Sequence, residues 1–100
     1  MIVTVFRSRL KPEARQIYDP LAARMSELAK AMPGYISHKS FTADDGERVT
    51  IVEFENEETH RAWSEHPEHR AAQRQGRADF YSEYRVQICE LRRESRKLAQ

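Results

Sequence analysis

The stretch YISHKSFT-ADDGE-RVTIVEF, residues 35–54, decides the fold. Tyr35 to Thr42 and Arg48 to Phe54 are strand-like runs, and Asp44-Asp45-Gly46 between them is an Asp-Gly hairpin signal. Side chains alternate across a strand, so Val49 and Ile51 point one way and Val52 and Phe54 the other. Both faces of this strand are therefore apolar. A sheet with one face in water alternates apolar with polar instead.

Outward from the hairpin, Pro33-Gly34 terminates the element before it, because the first residue cannot continue a helix and the second is free to turn. Upstream, Ile17, Leu21, Met25, Leu28 and Met32 recur at steps of four, four, three and four, which draws one apolar stripe on a helix. Lys11-Pro12-Glu13 reads as the helix start. Pro20, with Asp19 as a ready N-cap, predicts a kink or a restart there. Ile2-Val3-Thr4-Val5-Phe6 opens a first strand that reaches about Leu10, again with apolar residues on both sides: Ile2 and Phe6 oppose Val3 and Val5. On the other flank Asn56 caps a helix through Ala62 and Trp63, with Glu57 and Glu58 in its first turn. Pro67 opens a second short helix after a break near His66, and Gly76 lies close to its end. Phe80 to about Leu91 is the last strand, with Tyr84, Val86 and Ile88 on one face.

The order β-α-β-β-α-β is the α+β, ferredoxin-like pattern on an antiparallel sheet. Helices cover only one face of such a sheet. Strands one and three are apolar on both, so the economical cover for the second face is the sheet of another copy. The expected assembly is a homodimer. One domain is expected over residues 1–91, followed by a polar, basic tail over 92–100.

Composition narrows the class. Seventeen Lys and Arg against sixteen Asp and Glu leave a net charge of +1 across 100 residues. That balance speaks against a dedicated nucleic-acid or membrane-surface binder, which needs a basic excess. Cys89 has no intrachain partner, no run of apolar residues approaches bilayer length, and Met1 leads straight into the first strand with no leader-like segment. A cytoplasmic protein is the expectation.

Met32-Pro33-Gly34-Tyr35, the Asp45-Gly46 hairpin with Val-Thr-Ile-Val-Glu-Phe after it, and Ala62-Trp63 followed by His66-Pro67-Glu68-His69 and Ala72-Gln73 resemble the antibiotic biosynthesis monooxygenase family. The resemblance runs from strand one to about residue 91. It implies a dimeric α+β barrel, two ferredoxin-like sheets face to face, often with an exchanged C-terminal strand. Cofactor-independent members oxidise anthrone- or quinol-like aromatics with O₂ in a pocket between sheet and helices. They carry an Asn one helical turn before the Trp and a Tyr about two turns after it. Trp63 matches here, Thr59 stands at the upstream position, and His69 falls near the Tyr. Haem-degrading members need an Asn late in strand one and a haem-ligating His on the second helical segment. Ser8 and Gln73 stand there instead, so neither haem nor any other cofactor is expected.

The chemistry follows from these residues. An oxygenase without a cofactor must deprotonate an electron-rich aromatic, so it needs a base of near-neutral pKa between apolar walls. His69, Trp63 and His66 are the catalytic candidates, and His38, Thr59 and Arg85 the candidates for binding a small aromatic substrate. The plainer reading makes Trp63 a core anchor and both histidines solvated helix ends. His60, His66 and His69 lack the supporting ligands of a metal site, and none is expected. Phe80, Tyr81 and Tyr84 read as core or dimer contacts, and Cys89 as a buried thiol. RNA-recognition domains share the element order, but Glu47 to Phe54 lacks the Gly and paired aromatics of their third strand. A non-catalytic homodimer that binds small ligands, or a stress-related module, is the alternative to an enzyme.

Overall fold

Strand β1 (Ile2–Leu10) lies at the middle of the sheet in the computed structural model, which describes residues 1–97 and 99. A 3-10 turn (Pro12–Ala14) leads into α1 (Arg15–Lys30), followed by β2 (Tyr35–Thr42), β3 (Arg48–Phe54), α2 (Glu57–Ser64), α3 (Pro67–Gln75), a π-helical turn (Gly76–Phe80) and β4 (Tyr81–Glu90). The sheet runs β2-β3-β1-β4 with every neighbour antiparallel. This is the α+β ferredoxin-like arrangement read from the sequence. Residues 91–97 carry no regular structure, and positions 98 and 100 of the expected tail lie outside the described residues.

Register sorts the side chains. His38, Val52, Thr4 and Ile88 form one cross-strand row, and Ser40, Thr50, Phe6 and Val86 the next. Both rows face the helices. Val3, Val5, Val49 and Ile51 alternate onto the outer face, as the two-sided pattern requires. They stay half-buried there, while Phe41 on the same face is 49% exposed.

The core is small and sits beneath one end of the helical layer. Phe54, Trp63 and Ala29 are buried against one another, with Met25, Leu28, Met32, Tyr35 and Val52 packed around them. Gly34 holds the α1–β2 corner: its φ of +79° is left-handed, and a Cβ there would lie 2.5 Å from the Thr59 side chain. Only glycine meets both conditions.

Three local expectations are corrected. Pro20 does not restart the helix: α1 continues through it from Arg15 to Lys30. Residues 15–17, 19 and 20 are exposed, so water serves the carbonyl that the missing N–H leaves free. Ile17 is 60% exposed, so the stripe packs only from Leu21 onward. Cys89 is exposed rather than buried, because it lies on the outer face opposite Val3. Among the described residues no helix is long and apolar enough to cross a membrane.

Candidate active site

Between the inner face of the sheet and the three helices lies a cavity of about 730 Å³, within the range typical of small-molecule sites. Its sheet wall comes from the two rows above. Its roof comes from α1, through Met25 and Ser26, and from α2 and α3. A hollow of similar volume near Val3 and Cys89 to Arg93 has no histidine and no aromatic wall.

The geometry over α2 and α3 follows from local sequence. Asn56 starts α2 with a reciprocal capping box: its side chain accepts from the Thr59 N–H at 2.9 Å, and Thr59 Oγ1 accepts from the Asn56 N–H at 3.3 Å. The helix then sets His60, Trp63 and Ser64 on one face, three and four residues apart, and that face lines the cavity. After Ser64 the chain breaks, and His66 caps α3, its Nδ1 accepting from the Glu68 N–H at 3.2 Å. Pro67 opens α3, whose third residue, His69, folds back over Trp63. The two rings stack with centroids 4.0 Å apart and planes 11° from parallel.

His69 Nδ1 lies 3.1 Å from the Trp63 carbonyl oxygen. A carbonyl only accepts, so the ring proton sits on Nδ1 and donates to it, leaving Nε2 with the basic lone pair. Burial lowers the His69 pKa from its ordinary value of 6.5; the hydrogen bond to the Trp63 carbonyl opposes this, and the nearby His66 and His60 add to the lowering. The ring is neutral at pH 7. His60 Nε2 is 2.8 Å from Thr4 Oγ1. His38 has both nitrogens engaged, Nε2 with Ser26 Oγ at 2.8 Å and Nδ1 with the Tyr35 hydroxyl at 2.7 Å. Burial lowers the pKa of both of these histidines as well.

Of the six candidates from the sequence, Trp63, His69 and His38 line the cavity. The other three do not. Thr59 is occupied by its capping box, and His66 by its cap on α3. Arg85 is exposed and pairs with Arg7 of β1, on the face opposite Tyr84 and Val86. Tyr81 and Tyr84 line the cavity rather than serving only as packing. His60, Arg48 and Tyr18 also line it and were not singled out for it. The three-residue spacing of His60 and Trp63 was a signal for the first, and β-strand parity with Thr50 and Val52 a signal for Arg48. His60, His66 and His69 do not converge, and among the described residues no three His, Cys, Asp or Glu side chains cluster as a metal set.

The family model for antibiotic biosynthesis monooxygenase matches residues 1–75. Protein YqjZ of Bacillus subtilis is 31% identical over 90 residues, covering 90% of this chain and 79% of that relative. Among solved structures, Rv0793 from Mycobacterium tuberculosis superposes with a TM-score of 0.83 at 18% identity, over 95% of this chain and 98% of its own. SnoaB, a cofactor-independent oxygenase from Streptomyces nogalater, gives 0.77 at 17% identity over 93% and 94% of the two chains. At these identities both structures speak for the fold alone.

Proposed function

The chain belongs to the antibiotic biosynthesis monooxygenase family, and from that premise we propose that it is a cofactor-independent monooxygenase of a small, electron-rich aromatic such as an anthrone or a hydroquinone. The observation that carries this reading is the neutral His69 ring, stacked flat on Trp63, with its Nδ1 proton committed to a carbonyl and Nε2 left as the base. Nε2 removes a proton from the substrate C–H or O–H. The anion passes one electron to O₂, and the resulting radical pair joins as a hydroperoxide. Loss of water then gives the carbonyl: R₂CH₂ + O₂ → R₂C=O + H₂O. Trp63 is the apolar wall. Gln73, one turn beyond His69 on α3 and also lining the cavity, supplies an amide N–H to the developing oxyanion in place of the upstream Asn.

An oxygen-uptake screen over anthrones and hydroquinones tests the reading. At least one substrate is expected to consume O₂ with one-to-one formation of the anthraquinone from an anthrone, or of the hydroxyquinone from a hydroquinone, and without release of H₂O₂; Trp63→Phe is expected to slow it. Absence of uptake with every substrate would favour the small-ligand-binding alternative.

The assembly we propose is a homodimer closed by the outer sheet faces, where Val3, Val5, Val49, Ile51 and Phe41 sit together. A stable interface buries about 800 Å² per partner. Sedimentation equilibrium at micromolar concentration is expected to return twice the 11.8 kDa chain mass; a folded monomer would overturn it.

A further inference from the structure

At the end of the cavity away from the imidazoles the chemistry changes. Arg48 sits four residues along β3 from Val52, roughly 13 Å at about 3.3 Å per residue, and opposite Ser8 of β1. Its guanidinium carbon lies 5.2 Å from the centre of the Tyr18 ring, and its Nε is buried with no hydrogen-bond partner among the described residues. Arg77 lines the same end, 5.7 Å from the centre of the Tyr84 ring.

Other arginines of the chain either hold a carboxylate or lie exposed to solvent, whereas Arg48 is neither paired nor exposed. Arg7 holds Glu47 with two bonds of 3.0 Å, Arg9 holds Asp45 and Glu83, and Arg24 holds Glu68. Among the described residues no carboxylate comes within ion-pair distance of Arg48 or Arg77, and no acidic side chain lines the cavity. A guanidinium with a buried, unanswered N–H in a concave, partly dry site is a vacant half of a bidentate pair. Low-dielectric walls concentrate the field of Arg48 within the cavity, while Arg77 is exposed and adds a solvent-screened charge at the same end.

We propose that the substrate carries an ionised carboxylate and that Arg48, with Arg77 beside it, holds that group at the far end of the cavity while the ring system reaches towards His69. Arg48 is then a specificity-determining residue: it fixes which end of an elongated aromatic meets the base. Tyr18 stacks against the guanidinium and keeps it in place. The proposal rests on the reading of this cavity as the oxygenase's substrate site.

Binding without turnover tests it. Anthraquinone-2-carboxylate and uncharged 2-(hydroxymethyl)anthraquinone are already oxidised, so neither consumes O₂. Trp63, the chain's single tryptophan and part of the cavity wall, reports occupancy by fluorescence quenching. The wild type is expected to bind the carboxylate at least about 10-fold more tightly than the alcohol, the scale of a charge-assisted bidentate contact. Arg48→Gln is expected to abolish that preference, Arg48→Lys to restore part of it, and Arg7→Gln, on the outer face, to leave it unchanged. Equal affinity of the wild type for the two ligands overturns the proposal, as does a preference that survives Arg48→Gln, or no saturable quenching by either. The wild-type comparison stands even if the Arg48 variants fail to fold. Oxygen uptake on neutral anthrones combined with unselective binding would remove the anion site and leave the oxygenase reading intact. Selective carboxylate binding with no uptake would do the reverse.

Discussion

Replacing His69 with alanine is expected to lower O₂ consumption by about 10²- to 10⁴-fold, the contribution of a positioned general base. The fold should survive, because alanine is a good helix former at the third position of α3 and His69 is only half-buried. The pH profile separates this role from a packing role. Burial lowers the His69 pKa, so the base stays neutral somewhat below 6.5, and the acid limb of the wild-type rate is expected below that value. The variant should lose this limb and recover activity on addition of free imidazole. Uptake unchanged in His69→Ala would move the base elsewhere in the cavity, with His60 next in line. The same burial has a consequence for stability. His38, His60 and His69 are all held below their ordinary pKa, so the folded state binds fewer protons than the unfolded chain. Their contribution is complete above about 6.5 and declines as the pH falls below it.

The largest effect on stability is expected from Phe54→Ala, at about 3–5 kcal/mol. Phe54 is fully buried at the end of β3, edge-on to Tyr35 at 6.0 Å and to His60 at 6.1 Å, and packs with Trp63 and Ala29. Few other side chains are as deeply buried, because much of the space between sheet and helices is cavity rather than packing. A domain of this size has about 5–15 kcal/mol of total stability, so one ring carries a large share. Thermal unfolding at matched protein concentration checks it, at about 4–8 °C of Tm per kcal/mol. A drop of only a few degrees would mean that the cavity collapses to refill the space. The variant should also bind ligand poorly, since Phe54 supports both His60 and Trp63 from below.

The architecture was legible because it is written in local terms. The Asp45-Gly46 turn and the two-sided strands, the Leu21 to Met32 stripe and the Asn56 cap each express a period or a turn that a short segment imposes on itself. The α1 helix departed from this logic at Pro20, where it continues with the freed carbonyl open to solvent.

The site was legible only in part. His66 and His69 look like a pair at a spacing of three, but Pro67 begins a new helix between them, and the helical phase does not carry across. His66 therefore turns to cap α3, while His69 returns over Trp63. Thr59 holds the aligned position one turn before Trp63, yet its hydroxyl is taken by Asn56. Arg85 alternates with Tyr84 and Val86 along β4, and that parity turns it to the outer face, away from the cavity. The sequence by itself determined the order of elements, the two apolar faces of the sheet and the family resemblance, because periodicity and turn chemistry act between near neighbours. Only the tertiary structure decided that His38, His60, Trp63 and His69 share one cavity with an unpaired Arg48. Those residues come from two strands and two helices, and which of their side chains meet depends on strand register and helix docking, not on any spacing along the chain.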